Sequence, residues 1–269
     1  MKRGTPLDAM DLMMLGTPKP SSVALLLAVC LLLGAQQAAA VILNPSFETG
    51  DTSQWSTVGD VSATDSSFGV DPVDGSFQIL LATNGASVAE AESAMGLASG
   101  RIQSIFDVGI ADLGQSTGSG PIEGSAFQQT FDVTAPGDSV SFYYNLLTSE
   151  NVPESLSTDF LWWNLDRPVG EDTYGVIAHV NEAGFSSSGT SYDYETGYQT
   201  FTIRFSRSGS YTLTLGLHDV EDTLRDSAAL FDGFLLRKTP EPNTFVLLAA
   251  GLLGLAFHAR SVKKTNGKD

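Results

Sequence analysis

Alternation of apolar and polar side chains is the feature that most constrains how this chain folds. In Thr200–Phe205 the apolar residues take every second place, and Tyr211–Leu215 repeats the pattern. A period of two gives a strand one buried face and one wet face, as in an antiparallel sheet. Turn residues such as Pro136-Gly137-Asp138 and Ser208-Gly209 separate the runs. The middle of the chain is therefore predicted to be rich in β-structure.

Many short strands with turns between them favour a mainly β fold, a jelly-roll-like antiparallel β-sandwich. Ser87–Leu97 is rich in helix formers and predicts one short inserted helix, with Ser87 as its cap. The Gly- and Ser-rich segment Gly114–Gly124 predicts a mobile loop. The predicted strands are Ser76–Thr83, Ala126–Val133, Ser139–Leu147, Phe160–Leu165, Gly175–Asn181, Tyr198–Phe205, Tyr211–Leu217 and Ala228–Leu236.

The charge balance bears on which partners this sandwich can have. The segment from Val41 to Thr239 carries 7 Lys and Arg residues against 27 Asp and Glu residues. An acidic surface repels phosphate backbones, so nucleic acid is excluded as a partner, whereas divalent cations are attracted. A solvated acidic surface that serves solubility alone is the simpler interpretation of the same charge.

The N-terminal 40 residues are predicted to be a signal peptide. Lys2, Arg3 and Lys19 precede an unbroken apolar run over Val23–Leu33, which is too short to span a membrane. Ala38-Ala39-Ala40 then offers a small-residue cleavage site. The single cysteine, Cys30, lies inside this segment, so the mature chain has no disulfide and no thiol catalysis.

The C-terminal segment 240–269 has three consecutive parts. Pro240-Glu241-Pro242 comes first and stops the last strand, because proline cannot continue a strand ladder. The apolar run Phe245–Phe257 follows and is predicted to enter the bilayer as a transmembrane helix. A basic cluster that includes Arg260 ends the chain and is retained on the cytoplasmic side. A helix packed on the domain is the alternative.

This order of Pro-Glu-Pro, apolar helix and basic end resembles the sorting signal of PEP-CTERM proteins. The resemblance implies cleavage by an exosortase, a membrane protease, in a Gram-negative-type bacterium that makes exopolysaccharide. It implies three parts: a signal peptide over 1–40, an ectodomain over 41–239 and a sorting signal over 240–269. The exported protein would be held briefly at the inner membrane and then reside in the cell envelope or extracellular matrix.

The two ends of the predicted ectodomain resemble galactose-binding-like jelly rolls, a fold that includes many carbohydrate-binding modules. Asn44–Asp51, which reads NPSFETGD, is similar to their opening strand, and Trp55 follows it. Ala228–Leu236 is similar to their last strand. The resemblance implies that Glu48 and Asp232 lie on neighbouring strands and help to hold a structural calcium ion, whose flexible shell takes carboxylate and carbonyl oxygens. Two unrelated surface acids are the alternative.

Trp162 and Trp163 are the candidate ligand-binding residues. Adjacent residues in a strand point to opposite faces, so one indole is predicted to be in the core. The other is a candidate platform for a sugar ring, and a core or dimer contact is the simpler alternative.

No catalytic motif stands out, so the ectodomain is predicted to be non-enzymatic. His-Glu-x-x-His, Gly-x-Ser-x-Gly and a phosphate-binding loop are all absent from the sequence. The acidic segment around Asp219, Glu221, Asp222 and Asp226 lacks EF-hand spacing and is interpreted as a solvated loop. The predicted function is a binding or structural role on extracellular polysaccharide. The alternative is a secreted hydrolase with two carboxylates facing across a groove.

Overall fold

The structure is a computed structural model that describes residues 41–112, 120–152, 159–167, 170, 172–181, 184–220 and 225–239. The predicted signal peptide lies outside these residues, as do the apolar tail helix and the sorting residues Pro240, Glu241, Pro242 and Arg260. No helix among the described residues is long and apolar enough to cross a membrane.

The described residues form thirteen strands and two α-helices. In chain order they are β1 (Ser56–Val58), β2 (Val61–Thr64), β3 (Gln78–Ala82), β4 (Ala86–Ser87), α1 (Val88–Ala94), α2 (Arg101–Asp112), β5 (Pro121–Val133), β6 (Ser139–Thr148), β7 (Phe160–Asp166), β8 (Thr173–His179), β9 (Ser186–Ser187), β10 (Tyr194–Glu195), β11 (Gln199–Arg204), β12 (Gly209–Val220) and β13 (Ser227–Arg237).

Two antiparallel sheets make up the fold, and each is built around its longest strands. Sheet A has the order β1-β5-β12-β7-β8, and β4 also pairs with β5. Sheet B has the order β2-β3-β13-β6-β10-β9, and β11 also pairs with β6. The predicted antiparallel β-sandwich is confirmed.

The core lies between the two sheets and is lined by the apolar half of each alternating strand. In β11, Phe201 and Ile203 face inward while Thr200 and Thr202 are exposed. The phenyl rings of Phe142 on β6 and Phe231 on β13 meet in this core with centroids 5.8 Å apart. Their burial supplies the hydrophobic free energy that a chain without disulfides needs.

A helical layer covers the outer face of sheet A. Ser87 caps α1 through a capping box with Glu90, as the sequence predicts. The second helix, α2, was not predicted, although Ile102, Ile105 and Phe106 have helical spacing and are buried against the sheet. Buried Glu92 in α1 accepts hydrogen bonds from the amides of Gly100 and Ile102, which joins α1 to the start of α2.

All eight predicted strands are present, but two other expectations are wrong. The opening segment Asn44–Asp51 is a series of turns, because Asn44 and Phe47 have positive φ angles of 47° and 56° that no strand allows. The predicted loop Gly114–Gly124 is strand from Pro121 onward, and residues 113–119 lie outside the described part.

Candidate functional site

The structure brings Glu48 and Asp232 to one loop, which follows the turns after β2 and leads into β3. Oε1 of Glu48 accepts hydrogen bonds from the amides of Ser76 and Phe77 at 2.8 and 2.9 Å. Oδ2 of Asp232 accepts from the amides of Val73 and Asp74, both at 2.7 Å. The two carboxylates therefore hold neighbouring turns of the same loop.

The opening segment and the last strand also meet directly. The amide of Phe234 in β13 donates to the carbonyl of Pro45 at 2.9 Å. Gly75 has a φ of +79°, which strains any other residue, and a Cβ there would lie 2.3 Å from the Glu48 carboxyl carbon, so that carboxylate would have to move. This arrangement pins the two ends of the ectodomain together without a disulfide.

Asp232 is fully buried, and burial raises its pKa to about 6, with the negative charge of Asp74 adding to the effect. Three main-chain amides, those of Val73, Asp74 and Gly233, oppose this rise but do not cancel it. A carboxylate that is costly to ionise gains from a nearby cation. In this respect the residues fit calcium, and Oε2 of Glu48 accepts no hydrogen bond from any residue that the structure describes.

A complete cation shell is not formed by side chains alone in the described part of the chain. No group of three or more His, Cys, Asp and Glu side chains lies together there in a way that could hold a metal ion. Calcium at Glu48 and Asp232 would need main-chain carbonyls or water to complete its shell. The calcium site stays a prediction.

The two adjacent tryptophans have different surroundings. Trp162 has no exposed surface, because α1 and α2 cover its face of sheet A, and its Nε1 donates to Nδ1 of His218 at 2.9 Å. Trp163 points to the opposite face, where it is half-buried against the core and lies 6.2 Å from the ring of Phe201. Of this pair, only Trp163 has accessible surface that a ligand can reach.

An exposed aromatic residue that the sequence analysis did not single out lies on sheet B. Tyr143 in β6 is 37% exposed, and its ring rests on Gly233 of β13, where a Cβ would lie 3.0 Å from Cδ2 of the ring. Gly233 has φ +61° at a bulge in β13. The missing side chain of Gly233 leaves room for the phenol ring to lie close to the backbone.

Tyr143 belongs to a solvent-facing surface across β11, β6 and β13. Thr200 is opposite Tyr143, and the next row places Thr202, Ser141 and Leu235 side by side. These five side chains point away from the core, since the residues between them, such as Phe142, are buried. We call this surface the open face; it consists of Ser141, Tyr143, Thr200, Thr202 and Leu235.

The acidic segment is less solvated than predicted. Asp219 is buried at the end of β12 and lies beside the fully buried Asp159, which also feels the charge of Glu150. Burial raises the pKa of Asp159 to about 7, although a 2.6 Å hydrogen bond from the Ser227 hydroxyl opposes this. The solvated-loop interpretation is wrong for Asp219; Asp226 is exposed, and Glu221 and Asp222 lie outside the described residues.

An open cleft of about 800 Å³ lies between α1 and the turns that follow β1 and β3. Asp60 and Glu90 are the carboxylates on its walls, and Asn84 and Ser93 also line it. Oε2 of Glu90 accepts hydrogen bonds from both the amide and the hydroxyl of Ser87, which lower the pKa of Glu90. Glu90 is therefore not a carboxylic acid that stays protonated near neutral pH.

The C-terminal segment matches a known sorting signal. Residues 238–261 match the model of the PEP-CTERM protein-sorting motif. This match confirms the resemblance noted from Pro240-Glu241-Pro242 and the basic end. A signal of this kind indicates an exported protein.

Carbohydrate-binding modules are among the solved structures to which this chain is similar. TmCBM61, solved with β-1,4-galactotriose, has a TM-score of 0.42 at 14% identity, covering 75% of this chain and all of that one. The CBM22-1 xylan-binding domain from Paenibacillus barcinonensis gives 0.35 at 16% identity, covering 77% and 100%. The K1 cleaved adhesin domain of Lys-gingipain from Porphyromonas gingivalis gives 0.39 at 6%, covering 72% and 96%. Comparison with curated proteins gives no match.

Proposed function

We propose that this chain is a non-enzymatic protein of the cell envelope or exopolysaccharide matrix, which an exosortase cleaves at its C-terminal sorting signal. The observation that carries the proposal is the position of the PEP-CTERM motif, which begins at residue 238, directly after β13 ends at Arg237. The sorting signal is thus appended to a sandwich whose last strand is already complete.

The last described residues are fastened to the sandwich. The amide of Thr239 donates to Oδ1 of the buried Asp138 at 2.7 Å. Cleavage near Pro240-Glu241-Pro242 would therefore remove no described strand and break no described hydrogen bond. An ectodomain released in this way would keep its fold.

In this proposal the tail acts before cleavage as a transient anchor in the inner membrane of a Gram-negative-type bacterium. The apolar run Phe245–Phe257 enters the bilayer, and Arg260 with the lysines after it stays on the cytoplasmic side. The run spans only about 20 Å at 1.5 Å per residue, which is short for a permanent anchor.

A binding role is favoured over a secreted hydrolase. A glycosidase needs one carboxylic acid whose pKa is raised, across a groove from a second carboxylate. In the cleft beside α1, hydrogen bonds from Ser87 lower the pKa of Glu90, which is the opposite of that requirement. The exposed Tyr143 on the open face is instead typical of surfaces that bind sugar rings.

Mass spectrometry of the exported protein tests the sorting proposal. In a host with an exosortase we expect a C-terminus near Pro240-Glu241-Pro242, and in a matched host lacking the protease we expect the tail to be retained. A variant with alanine at these three positions should stay uncleaved in both hosts. Recovery of intact Phe245–Phe257 in the exported protein from the first host would overturn the proposal.

A further inference from the structure

The open face continues into a pair of arginines at one end of sheet B. Ser139 of β6 is paired with Arg204 of β11 on one side and with Arg237 of β13 on the other. Both arginines are exposed, and they follow Thr202 and Leu235 at a spacing of two residues, so they lie on the same face. With strands about 4.8 Å apart, their Cα atoms are about 10 Å apart.

These arginines are not neutralised by the protein itself. The ion pair found in the described part of the chain joins Arg101 to Asp172, and neither Arg204 nor Arg237 forms an ion pair or a side-chain hydrogen bond there. Their guanidinium groups are therefore available to an outside anion.

Positive charge is concentrated at this end of the molecule. Of the seven Lys and Arg residues between Val41 and Thr239, four are Arg204, Arg207, Arg237 and Lys238. The chain just after β11 and just after β13 meets at Asp138, whose carbonyl accepts from the amide of Phe205 and whose side chain accepts from the amide of Thr239. A cationic end on an otherwise acidic ectodomain needs a physical explanation.

We propose that the open face, together with Arg204 and Arg237, binds an acidic polysaccharide. Tyr143 is the platform on which the apolar face of a pyranose ring packs, and the hydroxyls of Thr200, Thr202 and Ser141 form hydrogen bonds with sugar hydroxyls. The arginines bind carboxylate groups of the same chain, which guanidinium does in a bidentate geometry. Tyr143 is about 13 Å from Ser139 along β6, so the site extends over several sugar units.

The negative charge of the whole protein does not prevent this binding. At physiological salt the Debye length is about 8 Å, so acids elsewhere on the surface are largely screened from a ligand on the open face. The two arginines contact the ligand directly and are screened much less. Charge alone would fit an anionic membrane too, but hydroxyls on neighbouring strands beside an exposed ring fit a sugar chain better than lipid headgroups.

This inference deepens the matrix role proposed above and is tested without any exosortase. The full chain is titrated with polygalacturonate and, separately, with neutral galactan. We expect tighter binding to polygalacturonate and a loss of at least tenfold in affinity for the double variant Arg204→Gln, Arg237→Gln. Tyr143→Ala should lose several-fold on both polymers. Arg225→Gln, a single change of an exposed arginine near Ser149, is the matched control and should stay within twofold.

All the substituted side chains are at least partly exposed, so each variant is expected to fold. Circular dichroism melts check that it does. Equal affinity for the two polymers, or a double variant that binds polygalacturonate like the unchanged protein, would overturn the inference. The inference would also be overturned if the protein bound phosphatidylglycerol vesicles more strongly than polygalacturonate and Tyr143→Ala did not weaken that binding. That result would identify a membrane surface. Binding without C-terminal cleavage in the mass spectra would reject the sorting proposal alone.

Discussion

On the outer face of each sheet an aromatic ring lies over a glycine of the neighbouring strand, but the two rings differ in exposure. On sheet A the ring of Trp162 lies over Gly216, where an added Cβ would be 2.3 Å from Cζ2 of the ring. On sheet B the ring of Tyr143 lies over Gly233 in the same way, with an added Cβ 3.0 Å from Cδ2. Trp162 has no exposed surface, whereas Tyr143 is 37% exposed.

The difference comes from what covers each face. The two helices bury Trp162 among Ile102, Ile105 and Phe106, whereas no described helix packs on Tyr143. An aromatic residue seated on a glycine is thus a core residue under a helix and a candidate ligand platform in the open. Whether such a ring is a core residue or can contact a ligand is therefore decided by what packs on the sheet, and not by the strand that carries the ring.

The polar groups below the two rings differ as well. On sheet A, burial lowers the pKa of His218 to about 3, so the imidazole stays neutral and its Nδ1 accepts from Trp162. On sheet B, burial raises the pKa of Asp232, which is opposite Tyr143 in the ladder, to about 6. The two faces are therefore expected to respond to pH with opposite sign.

The largest expected effect is an acid-induced loss of stability from His218. Its pKa is lower in the folded protein than in the unfolded chain, so its contribution is present above about pH 6.5 and is lost as pH falls toward 3. At 1.36 kcal/mol per pKa unit this is roughly 5 kcal/mol. We expect urea unfolding to show that the unchanged protein loses unfolding free energy relative to His218→Gln as pH falls from 6.5 to 3. Protonation of His218 above pH 5 in an NMR titration would contradict this even if the variant does not fold.

Replacing Trp162 or Tyr143 by alanine should lower the free energy of unfolding by different amounts. Trp162→Ala removes a fully buried side chain and should cost about 3–5 kcal/mol in the free energy of unfolding. Tyr143→Ala removes a partly exposed ring and should cost about 1 kcal/mol. Urea unfolding of both variants measures the contrast, and equal losses would show that the helices do not shield Trp162 as described.

Calcium should stabilise the sheet B side at the loop held by Glu48 and Asp232. An ion that binds only the folded state adds about 2.7 kcal/mol at a hundredfold excess over its Kd. Thermal melts in millimolar calcium and in chelator should then differ by several degrees. Glu48→Gln or Asp232→Asn should remove most of that difference, and Asp138→Asn should keep it. Identical melts would show that main-chain amides alone hold the two ends.

A smaller effect of opposite sign to that of His218 is expected from Asp232 in chelator. Its pKa is higher in the folded protein, so its contribution is present below about pH 3.8 and is lost as pH rises through 6. Allowing for solvent screening, we expect about 2 kcal/mol. Asp232→Asn should abolish this loss in urea unfolding from pH 4 to 7.

Asp138 is the matched control for that measurement. Burial favours its protonated form, but hydrogen bonds from Thr239, Ala135 and Thr134 outweigh burial and lower its pKa. Its contribution is therefore present above about pH 3.8 and lost as pH falls, so Asp138→Asn should change the acid side of the curve. If both substitutions changed the pH dependence of the unfolding free energy in the same direction, the opposite pKa shifts of Asp138 and Asp232 would be contradicted.

Much of the fold could be predicted from the sequence because alternation is a local signal. The eight predicted strands and the Ser87 cap depend on neighbours within a few residues. The short strands β1 and β4 could not be predicted, since two or three residues carry no periodicity and pair only because the long strand β5 offers them a partner. Helix α2 had a readable pattern in Ile102, Ile105 and Phe106, which Gly100 and the following polar residues obscured.

The candidate site could be predicted only in part. The structure places Glu48 and Asp232 at one loop. No sequence pattern indicated that both carboxylates accept hydrogen bonds from main-chain amides of that loop. The alternation of Ser139, Ser141 and Tyr143 was a usable signal that these residues share one face of β6. That signal does not say whether the face is open.

By itself the sequence determined the alternating strands, the acidic balance of the ectodomain and the sorting signal over 238–261. Each of these is carried by residues close together in the chain. The tertiary structure alone decided that helices cover Trp162, that Tyr143 is open, and that Arg204 and Arg237 flank Ser139. The physical reason is that exposure and charge clustering arise from contacts between distant segments, and strand periodicity specifies two faces without specifying what packs on either.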